Sequence, residues 1–135
     1  MSGRCWFVRG ALFALLVLAS TAPVHAGEDK KRRAPAEVAP LVVDGIRYEA
    51  PLLGQPFGYA QDGGIVVARH AASGALQWTR LVYSVERDPR VEGDKQDIFI
   101  KALQLSADGR RLVIVNEHGR SYELNLDGSG LRRRR

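Results

Sequence analysis

Cysteine is almost missing from this chain. The single one, Cys5, precedes the apolar run Gly10–Ser20, and no other follows. Disulfides, thiol catalysis and thiolate metal sites are therefore excluded from everything after it. A lipid-attached leader needs its cysteine behind the apolar run, so that anchor is excluded as well. The run itself falls short of the roughly 18–20 apolar residues that cross a bilayer. No segment beyond it carries a helical period long enough to count. No Gly-x-Ser-x-Gly elbow occurs, and no phosphate-binding glycine loop opens a helix.

What is present starts with a leader. Arg4 and Arg9 precede the apolar run, and Val24 and Ala26 place compact residues at the −3 and −1 positions of a signal-peptidase site. The expectation is a cleaved signal peptide at 1–26, an exported (periplasmic or secreted) protein, and no stable membrane anchor afterwards. Losing 26 of 135 residues leaves 109. A chain of that size buries about 65% of its unfolded surface, enough for one core.

Charge is unevenly spread. The chain is formally +5, or +3 once Arg4 and Arg9 depart. Lys30, Lys31, Arg32 and Arg33 form one basic arm, and Arg132, Arg133, Arg134 and Arg135 form another. Between Glu37 and Gly130, ten Lys/Arg stand against thirteen Asp/Glu, a net of −3. Residues 27–40 read as a disordered charged and Ala/Pro-rich leader, 41–130 as the folded domain, and 131–135 as a basic tail.

From Leu41 the pattern is short apolar runs punctuated by Gly, Asp and Asn, the rhythm of strands and tight turns. Asp44-Gly45 between two such runs signals a hairpin. Ile46, Tyr48 and Ala50 alternate with Arg47 and Glu49, which predicts one dry face. Residues 51–64 read as a crossing loop. Strands are expected at Gly64–His70 and Leu76–Glu86, with a bulge near Thr79-Arg80 to reconcile two parities. Three more follow at Ile98–Leu105, Arg111–Val115 and Ser121–Leu126, the last with Tyr122, Leu124 and Leu126 inward. Paired apolar parity at Val66–Val67 and Leu112–Val115 predicts sheets covered on both sides. The expected fold is all-β, an antiparallel meander of about seven strands. It forms two propeller-blade-like sheets or a small barrel or sandwich, without a closed propeller.

Within Ile65–Trp78, an apolar strand leads to Ala68, a Ser73-Gly74 turn and then Trp78. This resembles the quinoprotein-type β-propeller repeat of dehydrogenases that bind pyrroloquinoline quinone and of their non-enzymatic relatives. His70 stands where that repeat usually has Asp, and Ser73 where it has Thr. Leu103–Leu126 looks like a second, generic blade. The resemblance implies packing units: Gly74 permits the turn and Trp78 packs one sheet on the next. A quinone site needs several blades around an axis, so two blades imply no cofactor.

Candidate sites are few. His70 and His118 fall at turns without carboxylates at ligand spacing, and read as turn residues rather than as metal ligands or catalytic groups. Glu86, Asp88, Glu92, Asp94 and Asp97 form an acidic loop interrupted by Arg87, Arg90 and Lys95. Its spacing departs from a calcium loop, so a solvated loop is expected. No catalytic, cofactor or metal residue is assigned. The leading expectation is a non-catalytic protein that binds an unidentified protein partner or a second copy of itself, with Tyr59, Tyr83 and Trp78 as candidate contacts. The alternative is a polyanion-binding module (nucleic acid or anionic envelope surface) using the basic arms. A small hydrolase or metal enzyme using the histidines and acidic loop ranks third.

Overall fold

The structure, a computed structural model, describes residues 33–135. The expected signal peptide and Lys30, Lys31 and Arg32 lie outside the described residues. Strands β1 (Leu41–Val43), β2 (Ile46–Glu49), β3 (Ile65–His70) and β4 (Leu76–Leu81) form one antiparallel sheet. Strands β5 (Ile100–Leu105), β6 (Arg111–Asn116), β7 (Ser121–Asn125) and β8 (Arg132–Arg133) form a second. Both sheets run in chain order, so each is a simple meander. The fold is all-β, with eight strands where about seven were expected. Among the described residues neither sheet closes into a barrel or propeller.

Turn chemistry sets the meanders. Asp44 and Gly45 both take positive φ, 49° and 76°, the combination that lets a two-residue turn follow the strand twist. The side chain of Asn116, itself buried, accepts the N–H groups of His118 and Arg120 and so builds the β6–β7 turn.

Alternation then points one face of each sheet at the other. Tyr48, Val66, Ala68 and Val82 meet Ile100, Leu103, Leu112, Ile114, Tyr122 and Leu124 in one core. Full burial of an aliphatic side chain of this kind is worth about 1.5–3 kcal/mol, so packing holds together a domain whose sequence after Cys5 has no cysteine for disulfides. Aromatic groups stitch the layers together. The Tyr48 hydroxyl donates to the Leu126 carbonyl at 3.1 Å. Tyr83 stacks on Tyr122 with centroids 5.2 Å apart.

The far face of the first sheet is covered by the crossing loop. Ile65 and Val67 are fully buried beneath it. A Cβ on Gly54 would lie 1.9 Å from the Gln61 carbonyl and 2.9 Å from Ile65 Cδ1, so only glycine permits this approach. Gln61 ties the loop to the chain beyond β4. Its amide nitrogen donates to the Tyr83 and Gly63 carbonyls, and its oxygen accepts from the Val85 N–H.

Five expectations need correction. The second sheet is not covered on both sides as Leu112–Val115 suggested: Leu112 and Ile114 are buried, but Val113 and Val115 are only half-buried on its outer face. The bulge between β3 and β4 falls at Gln77, between the Ala68–Trp78 and Arg69–Leu76 pairs, and not at Thr79-Arg80. Strand β4 ends at Leu81, because beyond Val82 the chain is held by Gln61 instead of by a sheet partner. The expected basic tail contributes β8, which pairs with Tyr122 and Glu123. Part of the expected leader is also engaged, since Val38 packs against the core although 33–40 carries no regular structure.

Each sheet edge carries a feature that discourages unselective strand pairing. Strand β1 is three residues long and follows Pro40. Strand β4 has the Gln77 bulge, and β5 has another at Lys101. Strand β8 is short and carries only arginines.

Candidate functional site

Register places Arg111, Val113 and Val115 of β6, Ser121, Glu123 and Asn125 of β7, and Arg132 and Arg134 at β8 on the outer face of the second sheet. The β6 and β7 side chains on this face are half-buried, whereas Ile65 and Val67 under the loop of the first sheet are fully buried. Pairing of Glu123 with Val113 on one side and Arg132 on the other brings three guanidinium groups to one carboxylate. Arg132 grips Glu123 through two nitrogens, Nε at 2.7 Å and a second from the same guanidinium. Arg134 Nε stands 3.4 Å away and an Arg111 nitrogen 3.6 Å away. The Arg132 hydrogen bond, with the nearby guanidinium charges, holds the Glu123 carboxyl below the usual carboxylate range despite an opposing desolvation.

One carboxylate balances one guanidinium. The cluster therefore carries a surplus of two positive charges, fixed in position by three paired strands. The Glu123 side chain is 13% exposed, whereas those of Arg132 and Arg134 are more than half exposed. The acid sits at the base of the cluster and the guanidiniums present their outer edges to solvent. Such an array suits a carboxylate or phosphate ligand, because guanidinium forks match planar oxyanions.

The other candidates sit elsewhere. The Tyr83 ring is stacked on Tyr122 and its hydroxyl donates to the Ile98 carbonyl at 2.9 Å. Burial pushes its ionisation well up. Trp78 is half-buried, 5.9 Å from the Tyr48 ring, and Gly128 approaches its indole so closely that a Cβ would come within 2.9 Å. Tyr59 shares a hydrogen bond with Thr79 and lines a shallow groove of about 360 Å³ with Ala60, Gln61, Leu81, Val85 and Arg87. The structure thus does not gather the three aromatics into one patch. Arg33 lines a separate small groove with Asp62, Asp94 and Asp97.

The acidic loop is tied up internally. Arg87 pairs with Asp97, Arg90 with Asp88 and Lys95 with Glu92. Gln96 donates to the Asp88 and Val91 carbonyls and accepts from the Asp88 N–H. Among the described residues no three acidic, histidine or cysteine groups form a metal cluster. His70 is exposed at the end of β3 in the first sheet, and His118 is exposed in the β6–β7 turn of the second.

Sequence reading assigned Arg132 and Arg134 to the basic tail and missed Arg111 and Glu123 as their neighbours. The outward parity of Glu123 was readable; its arginine neighbours depend on pairing across three strands. No protein-family model matches the chain, and no curated protein matches it. The face is accordingly read from its own chemistry.

Proposed function

We propose that this is an exported, non-catalytic protein that acts by binding another protein through the outer face of its second sheet. The observation that supports this reading is the surplus of guanidinium charge around Glu123, with the Arg132 and Arg134 side chains more than half exposed. Arginine is enriched at protein interfaces, and here three arginines stand on one face with the half-buried Val113 and Val115. The quinoprotein-type resemblance fits the same reading as architecture: two four-stranded meanders serve as packing units and present faces rather than a cofactor site. Export rests on the leader sequence.

A pull-down from native envelope tests the function. The parent chain is expected to retain a stoichiometric protein partner, and the folded double variant Arg132→Ala/Arg134→Ala to lose it. Recovery that follows added polyanion rather than any one protein would replace this reading with polyanion binding.

A further inference from the structure

We propose that the open edge of β8 takes an extended acidic segment of the partner protein as a fifth strand of the second sheet. This deepens the protein-binding reading and rests on it. The Arg134 N–H donates to the Ser121 carbonyl at 2.9 Å. In an antiparallel ladder, alternate residues turn their N–H and C=O toward opposite sides. Arg132 and Arg134 therefore bond toward β7, and the Arg133 N–H and C=O face away from it. Among the described residues no hydrogen bond engages that side of Arg133.

The side chains complete the case. Arg132 and Arg134 project from the same face two residues apart, about 6.6–6.8 Å along the strand. An extended peptide has the same repeat, so acidic groups at alternate positions fall directly opposite both arginines. Cross-strand neighbours of opposite charge attract, and like charges repel. A second copy pairing through β8 would set arginine against arginine, which makes it the wrong occupant. The face has no aromatic ring on which bases would stack, and phosphate oxygens accept from the Arg133 N–H but offer no donor to its C=O. Main-chain pairing with alternating carboxylates uses both features at once.

Two short synthetic peptides of equal composition test this on the full chain. One alternates Glu with Thr, and the other carries its Glu residues in one block. The alternating peptide is expected to bind about tenfold tighter and to slow hydrogen exchange at the Arg133 amide. Methylating its backbone nitrogens, which removes the strand bonds and keeps the charge, should cost a similar factor. Arg132→Ala/Arg134→Ala should weaken it by a comparable amount. Equal affinity for the two peptides, no effect of methylation, no binding, or tighter binding of a single-stranded oligonucleotide would overturn the proposal. If the envelope pull-down still depends on the two arginines in that event, the binding face stands and only strand addition fails.

Discussion

Arg132 holds Glu123 through two nitrogens on the outer face of the second sheet, where Arg111 and Arg134 crowd the same carboxylate. The native pKa of Glu123 is lowered, so its contribution to stability is present above the ordinary glutamate range and lost as pH falls through the native value. Glu123→Gln should accordingly melt below the parent at neutral pH. The gap should begin to narrow near about pH 4 and vanish below the native pKa. Added salt should also narrow it, because the cluster is solvent-facing. Melting curves across pH and salt check this; a gap that persists unchanged in acid would mean the carboxylate is not what the arginines stabilise.

The Gln61 side chain substitutes for a missing strand partner beside Tyr83 and Val85. Gln61→Ala removes all three of its bonds and should cost about 2–3 kcal/mol, several part-buried hydrogen bonds acting together. Chemical denaturation measures the loss. Amide exchange at Val85 should accelerate more than at Ile114, which lies in the shared core.

Glycines separate close approach from turn strain. At Gly64, φ is +70° and a Cβ would sit 2.8 Å from the Tyr83 ring. At Gly45, φ is +76° and nothing lies within 4 Å. Gly45→Ala should cost about 1–2 kcal/mol, the left-handed penalty alone. Gly64→Ala should cost clearly more, since the ring must also move. Equal losses would mean that the Tyr83 ring yields freely.

Tyr48 and Tyr83 both ionise above the free phenol range, chiefly because burial disfavours the phenolate. A raised native pKa supports the fold below about pH 10 and withdraws that support as pH rises toward the native value. Absorbance at 295 nm should show these two phenols lagging behind free tyrosine, with their release accompanying loss of the fold. Tyr83→Phe should remove one lagging phenol and blunt the alkaline sensitivity. At neutral pH it should cost about 1 kcal/mol for the bond to Ile98.

Much of the sheet architecture was legible because it is local. Asp44-Gly45 names its own turn, and the alternations through Tyr48 and through Tyr122, Leu124 and Leu126 assign the core face without reference to any neighbour. Paired parity at Val66–Val67 also read correctly as a sheet covered on both sides, though the cover over Val67 is a loop; the same parity at Leu112–Val115 misled, since Val113 and Val115 stay only half-buried on the outer face. Features set by distant partners were not legible. Arg132 and Arg133 carry no strand signal of their own; they become β8 because Tyr122 and Glu123 pair with them. The bulge at Gln77 is fixed by which residues of β3 face Leu76 and Trp78. The arginine cluster needs three strands in register, so a run of charges looked like a tail. Tyr83 looked like a surface aromatic because its stacking partner, Tyr122, is 39 residues away in the chain.

The face around Glu123 is the proposed meeting surface between this protein and its partner. Hydrogen exchange of the full chain, alone and with the partner captured from native envelope, measures that directly. Protection concentrated in β7 and β8, strongest at Arg133, is the predicted result. Protection at the Tyr59 groove with β7 and β8 unchanged would contradict it.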